Sequence, residues 1–356
     1  MAIKKGTALR DILLGTADAD TLIGLGGNDD LFGGKGDDML FGGDGRDKLF
    51  GGAGADILSG GRGADKISGG AGIDTATYAT SSTGVTVGLN GAVGVGGEAK
   101  GDTLSGIEHL IGSAHNDVLT GGFGDDILDG GLGADHLNGG SGNDIFRPGV
   151  DGFADVINGG NGWDTVNYSA FKTSITAFLG TGDPSLGTGG DTFVSVENVI
   201  GGSAGDILQP GAQGAAYGGG GDDVLIGGGA FGAVLRGGPG SDTMSSGIEK
   251  TSFQLEYNQG ADVVTGFNFM FRQDHLRIDH VEFGLNPGVL DLGQLIGMPS
   301  GLPVANAPVG QFIFDDVGHQ LWFDRDGNEG QFGAVLIATL QGVTMATLPI
   351  DAFQII

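Results

Sequence analysis

Aspartate recurs at every ninth residue near the start of this sequence: Asp11, Asp20, Asp29, Asp38, Asp47, Asp56, Asp65 and Asp74. Carboxylates in such a series offer acid–base chemistry or cation binding. Carboxylate pairs are too abundant here for any one to be singled out as a glycosidase couple. Their number favours the second chemistry, because like charges gathered so closely need a counterion. A calcium ion takes about six to eight oxygens, from carboxylates and backbone carbonyls alike.

The residues around each aspartate say what must position it. In "GGKGDDMLFGGDGRDKLFGGAGADILSGGRGADKISGG", Gly33–Gly70, each nine-residue unit opens with two glycines. A third glycine stands at position four, aspartate at six and an aliphatic residue at eight: Leu13, Leu22, Leu31, Leu40, Leu49, Leu58, Ile67 and finally Ala76. The strict form GGxGxD occurs eleven times in the chain. Glycine adopts positive φ without a Cβ penalty, so GGxG predicts a tight turn with carbonyls pointing into a hollow. The three residues after the aspartate suffice for a short strand, with position eight inward and its neighbours outward. Two units then make one flattened coil, and each coil adds about 4.8 Å along the stack. The first two units, "GTALRD" and "GTADAD", lack the second and third glycines, as the degenerate end of a capped stack would. Asp11, beside the non-glycine Leu9, is therefore expected to matter less than the central aspartates.

The unit GGxGxDxUx resembles the RTX (haemolysin-type) calcium-binding repeats of proteins secreted by Gram-negative bacteria. The resemblance implies an all-β fold: a parallel β-roll (β-helix) solenoid with inserted strands and a C-terminal β-rich cap. It also implies calcium ions held between turns two units apart, by aspartates and loop carbonyls. Carried onto this sequence, Asp29, Asp47 and Asp65 line one edge and Asp38, Asp56 and Asp74 the other, with Asp20 before them. A second block, "GSAHND", "GGFGDD", "GGLGAD" and "GGSGND", contributes Asp117, Asp126, Asp135 and Asp144; Asp164, Asp223 and Asp242 follow in "GGNGWD", "GGGGDD" and "GGPGSD".

Between the blocks lie two related inserts, "GIDTATY…GDTLSGIEHLIGSAHNDVL" and "GWDTVNY…GDTFVSVENVIGGSAGDIL". Fifteen residues separate Asp102 from Asp117 and Asp191 from Asp206, and Glu108 and Glu197 match, so a module of roughly ninety residues is duplicated. Both glutamates are candidate calcium ligands or turn caps. The expected organisation is a first roll over 6–77, a β spacer over 78–111 and a second roll over 112–166. A second spacer over 167–200, a degenerate third block over 201–247 and a C-terminal cap over 248–356 complete it. In the cap, Asp262 keeps a repeat-like position, "DHLRID" alternates like a strand, and "QFIFDD", "HQLWFDRDG" and "AVLIATLQG" read as a meander. "DRDGN", Asp324–Asn328, echoes a calcium loop but equally an acidic hairpin turn. The family resemblance places an uncleaved type I secretion signal in this region.

Composition agrees. The chain has 356 residues with 78 glycines and 9 prolines but no three-residue period, which excludes collagen. A hydrophobic share of 39% at a fixed period argues for ordered repeats rather than disorder. Acids outnumber bases 44 to 16, giving a charge of −28, which repels nucleic acid and anionic membrane and attracts cations. Cysteine is absent, so disulfides and thiolate metal sites are excluded. The start "MAIKKGTALRDILLGTADAD" lacks a signal peptide's apolar core, and no run is long enough for a membrane-spanning helix.

No catalytic residue is expected. "HLRIDH" is not HExxH, His136 sits at an outward position, and no GxSxG, Walker loop or cysteine nucleophile occurs. Repeats beginning at Gly6 leave no room for the N-terminal enzyme domain that many members of the family carry. Phe32, Phe41 and Phe50 at position nine suggest a stacked ladder, or a sugar- or partner-binding face. The sequence thus points to a secreted calcium-binding protein, exported by a type I apparatus and folding on calcium outside the cell. Its expected role is structural, adhesive or interactive, towards extracellular polysaccharide or a host surface. The alternative is a polysaccharide-modifying enzyme built on the solenoid or the C-terminal region.

Overall fold

The computed structural model describes residues 1–179, 188–228, 232–256, 259–268, 273–278, 295–298, 311–315, 319–324, 335–343 and 352–355. It is all-β, a parallel β-roll, and divides into two units: Met1–Asn167 with Gly182–Val196, and Tyr168–Thr181 with Glu197–Ile356.

In the first unit the nine-residue period becomes two facing parallel sheets. Thr21–Gly26, Met39–Gly45, Ile57–Gly63 and Thr75–Thr77 pair in order on one side. Asp30–Lys35, Lys48–Ala53 and Lys66–Ala71 pair on the other. Successive units alternate between the sheets, so each residue registers with the one eighteen later: Leu22 with Leu40, Leu40 with Leu58, Leu31 with Leu49. Position eight points inward throughout. Leu22, Leu31, Leu40, Leu49 and Leu58 are fully buried, and each contributes about 2 kcal/mol to the core.

The glycines follow from the stacking. A Cβ on Gly45 would run into the carbonyl oxygen of Gly27, and one on Gly63 into that of Gly45. At these two turns, one strand from the next, there is no room for a side chain at position four.

The first insert does not simply lie outside the roll. Thr103–Ser105 pairs with Lys66–Ser68, and His109–Ile111 pairs with Thr75–Thr77, so its end supplies the next strand of each sheet. Its Thr86–Gly88 starts a further parallel sheet that continues through Val118–Thr120, His136–Ser141, Val156–Asn161 and Thr192–Val194.

The duplication is visible as matched backbone hydrogen bonds. Tyr78 N–H donates to the Ile111 carbonyl (2.9 Å) and Tyr168 N–H to that of Ile200 (2.8 Å). Likewise Leu89 donates to Thr120 and Leu179 to Gln209, both at 2.8 Å.

In the second unit Asn198–Ile200, Ala215–Tyr217, Ala233–Arg236, Thr251–Leu255, His275–Ile278 and Phe353–Ile355 form one parallel sheet. Thr176–Phe178, Ile207–Gln209, Val224–Ile226, Thr243–Ser245 and Asp262–Thr265 form another, which Val335–Leu340 extends in parallel. From there Gln320–Asp324 and Gln311–Asp315 turn antiparallel, giving the meander expected of these segments. Most of "DRDGN" lies outside the described residues, as does His280.

Candidate metal centres

The aspartates at position six form hydrogen-bonded ladders along the roll. On one edge of the first unit, Asp11 N–H donates to Asp29 Oδ1 (2.8 Å), Asp29 to Asp47 (2.7 Å), Asp47 to Asp65 (2.8 Å) and Asp65 to Asp102 (2.8 Å). On the other, Asp20 donates to Asp38 (2.7 Å), Asp38 to Asp56 (2.8 Å), Asp56 to Asp74 (2.9 Å) and Asp74 to Glu108 Oε2 (3.0 Å). Beyond the insert, Asp117, Asp135, Asp155 and Asp191 form a third ladder, and Asp126, Asp144 and Asp164 a fourth. In the second unit the ladder runs Asp206, Asp223, Asp242, Asp262.

All fourteen expected ligands therefore stand in ladders, edge by edge as anticipated. Asp102, Asp155, Asp191, Asp206 and Asp262, which are not among them, fill rungs too, and Glu108 takes the place of an aspartate. Except at Asp191, which precedes the half-buried Phe193, their signal is an acid two residues before a buried aliphatic, as in Asp155–Ile157 and Asp102–Leu104. The GGxG of the strict motif is missing in each case.

One carboxylate oxygen per rung is thus committed to the neighbouring coil, and the other distinguishes the turns. In Asp29, Asp38, Asp47, Asp56, Asp65, Asp74, Asp135, Asp144, Asp223 and Asp242, Oδ2 is buried and has no hydrogen-bond partner. Leaving such an oxygen unsatisfied costs about 1–3 kcal/mol, and more for a charged group. In these turns positions two and four are both left-handed: Gly34 and Gly36 at φ 115° and 94°, Gly43 and Gly45 at 108° and 148°, Gly140 and Gly142 at 104° and 131°. Each Oδ2 lies close to where a Cβ on the turn's first glycine would be, and in the turns of Asp29, Asp38, Asp47, Asp56, Asp144 and Asp223 the carbonyl oxygen of the equivalent glycine one coil on crowds the same point (for Gly42, Asp47 Oδ2 and Gly60 O, both at 2.5 Å). Carboxylate and carbonyl oxygens thus share a cradle that only glycine leaves open.

Electrostatics follow burial. Desolvation, reinforced by neighbouring carboxylates, pushes Asp47 up to about 6 and Asp65, Asp135 and Asp223 to about 7. By contrast the Thr16 hydroxyl, donating to Asp20 Oδ2 at 2.7 Å, holds that carboxyl below its ordinary value. A carboxylate and carbonyl set of this kind suits a hard, oxygen-loving cation. Among the described residues no three His, Cys, Asp or Glu side chains lie close enough to hold an ion by themselves, so backbone oxygens would have to complete any site.

Among the described residues no histidine stands in a ladder. Burial lowers His109 to about 4, and its Nδ1 lies 3.3 Å from Thr75 Oγ1, while His136 is exposed. The three phenylalanines separate. Phe32 and Phe50 stack on one sheet, rings 4.9 Å apart and 6° from parallel, and Phe41 lies on the opposite sheet in an open groove with Leu25, Asp44, Arg62 and Glu98.

Stacked nine-residue turns, a parallel roll and buried carboxylate ladders define a class of repeat solenoid suited to cations. The family described as RTX calcium-binding nonapeptide repeat (4 copies) matches this chain over residues 5–40, 41–76, 102–146, 151–171 and 216–231. No curated protein matches the sequence. Among solved structures, the extracellular lipase LipA from Serratia marcescens is 21% identical, with a TM-score of 0.27 over 68% of this chain and 40% of the lipase. The chain thus spans well under half of that lipase, and so loose an overlap carries no argument about activity.

Proposed function

We propose that this protein is a secreted, calcium-binding solenoid that completes its folding outside the cell and serves a structural, adhesive or interaction role there. The observation that carries the reading is the set of buried Oδ2 atoms without partners, those of Asp29, Asp38, Asp47, Asp56, Asp144 and Asp223 beside a carbonyl in a glycine cradle. The residues that would hold the ions are the expected aspartates of the open turns, with turn carbonyls. A bound cation supplies charge compensation at these aspartates, for which no ion pair with lysine or arginine is seen among the described residues.

Without the ion, carboxylates repel along each edge, and ordering so many glycines is costly. A complete site needs two assembled coils, so binding free energy becomes folding free energy. Extracellular calcium modules bind at about 10⁻⁴–10⁻³ M, a range matched to conditions outside a cell. Export would be directed from the C-terminal region, as the resemblance implies.

The test is circular dichroism and hydrodynamic radius during calcium titration of the chelated full chain, with magnesium as control. Calcium should compact the chain and raise its β signal cooperatively. A compact β-rich state in excess chelator, unmoved by millimolar calcium, would contradict the proposal. Deleting the last fifty or so residues should retain the protein inside the producing cell, and normal export of that truncation would refute the export assignment.

A further inference from the structure

Five rungs differ from the open turns. Asp11 Oδ2 accepts from Thr7 N–H (2.6 Å) and Oγ1–H (2.9 Å), and Asp20 Oδ2 from Thr16 N–H (2.6 Å) and Oγ1–H (2.7 Å). Asp117 Oδ2 accepts from Ser113 N–H (2.5 Å) and Oγ–H (3.1 Å). Asp126 and Asp206 accept from the N–H of Gly122 (2.6 Å) and Gly202 (2.7 Å). In each case the donor stands at position two of the same turn.

Backbone and sequence agree with this division. None of these five turns has a left-handed residue at position two or four, whereas the open turns have one at both. In four of them position four carries a Cβ: Leu9, Asp18, His115 and Ala204. The fifth, "GGFGDD", satisfies the strict motif and still closes. What the five share is place. Each heads its ladder, its carboxylate receiving no N–H from an earlier rung's acid: Ala2, Val85 and Ile175 donate to Asp20, Asp117 and Asp206, and after Glu108 the series restarts at Asp126. The next coil's carbonyl is in place at a head turn too, Gly130 O and Asp117 Oδ2 lying 2.4 and 2.5 Å from a Cβ on Gly112, so what sets a head turn apart is the donor at position two.

We infer that the head turns of Asp11, Asp20, Asp117, Asp126 and Asp206 bind no calcium, and that their own N–H and hydroxyl donors occupy the place the ion takes elsewhere. Each run of calcium sites therefore starts from an ion-free rung, and Thr7, Thr16 and Ser113 set where it starts. This rests on the calcium reading above. It removes Asp20, Asp117 and Asp126 from the ligands that the motif alone suggests.

The experiment counts calcium per chain, by native mass spectrometry and elemental analysis of the full chain at saturation, with circular dichroism confirming the fold. Asparagine preserves Oδ1 as acceptor for the neighbouring coil. Asp20→Asn and Asp117→Asn should keep the wild-type count, and Asp56→Asn and Asp135→Asn should each lose at least one ion. Loss of an ion from either head variant overturns the inference. An unchanged count in all four variants instead overturns the calcium ladder itself. Thr16→Val provides a second readout: the calcium count should hold while the thermal midpoint falls, and an unmoved midpoint would show that the hydroxyl does not cap Asp20.

Discussion

Leu25 stands at position two of the turn that serves Asp29, where the other open turns have glycine, and adopts φ 80°. A left-handed conformation costs a branched residue about 1–2 kcal/mol, more than the entropy that glycine would lose on folding. Leu25→Gly should therefore raise the unfolding midpoint, by the equivalent of about 1 kcal/mol, in a calcium-saturated thermal melt.

The buried aspartates make a prediction of opposite sense from ordinary acid denaturation. Asp47, Asp65, Asp135 and Asp223 have folded-state values of about 6 to 7, raised above those of the unfolded chain by burial. Their contribution to the ion-free fold is present below about pH 4 and is lost as pH climbs through 6 to 7. Melts in chelator should show stability falling from acid to neutral pH, and calcium midpoints should tighten over the same interval as bound protons are displaced. An ion-free stability that increases with pH would exclude this account. At this scale the sequence was readable where a rung repeats the motif. It was unreadable at Asp155 and Asp191, which no GGxG precedes, and it did not separate Asp126 from Asp144, because both follow GGxG.

At the scale of the turn, steric nesting separates glycines that look alike in sequence. Gly45 sits at φ 148° with the Gly27 carbonyl where a Cβ would go, whereas Gly124 has no left-handed φ and open space at that point. Gly45→Ala should force adjacent coils apart and cost several kcal/mol, about the level of a severe core lesion. Gly124→Ala should be neutral or stabilising by about 0.4–1 kcal/mol, through the unfolded state. Parallel chemical denaturation of the two variants decides the matter, and equal effects would mean that nesting is not what position four requires. The alternation of strands between two sheets was implicit in the nine-residue unit, and it explains why Phe32 meets Phe50 while Phe41 faces elsewhere. The insert was harder to read. Its valines and threonines announced strands, but not that Thr103–Ser105 and His109–Ile111 would rejoin the two original sheets, since that register depends on residues more than thirty positions earlier.

At the scale of the molecule, a charge of −28 on a glycine-rich chain favours expansion until cations neutralise it. The coil-to-coil bonds of the first unit add a mechanical consequence. Ile57 N–H reaches the Asp38 carbonyl at 2.8 Å, Thr75 that of Asp56 at 2.8 Å and Lys66 that of Asp47 at 2.9 Å, so neighbouring coils are tied by bonds lying along the stack. Tension applied between the ends of that stack loads these bonds one row at a time, as a zipper rather than in shear. A single-molecule pulling trace of this unit should therefore peel in small, evenly spaced steps. Each would release one eighteen-residue coil, about 60 Å of extended chain. Calcium, bridging successive coils, should raise the force of every step without changing its length. Such a chain would absorb work by paying out slack coil by coil and recover it on relaxation, the behaviour of a tether whose stiffness is set by the ion around it.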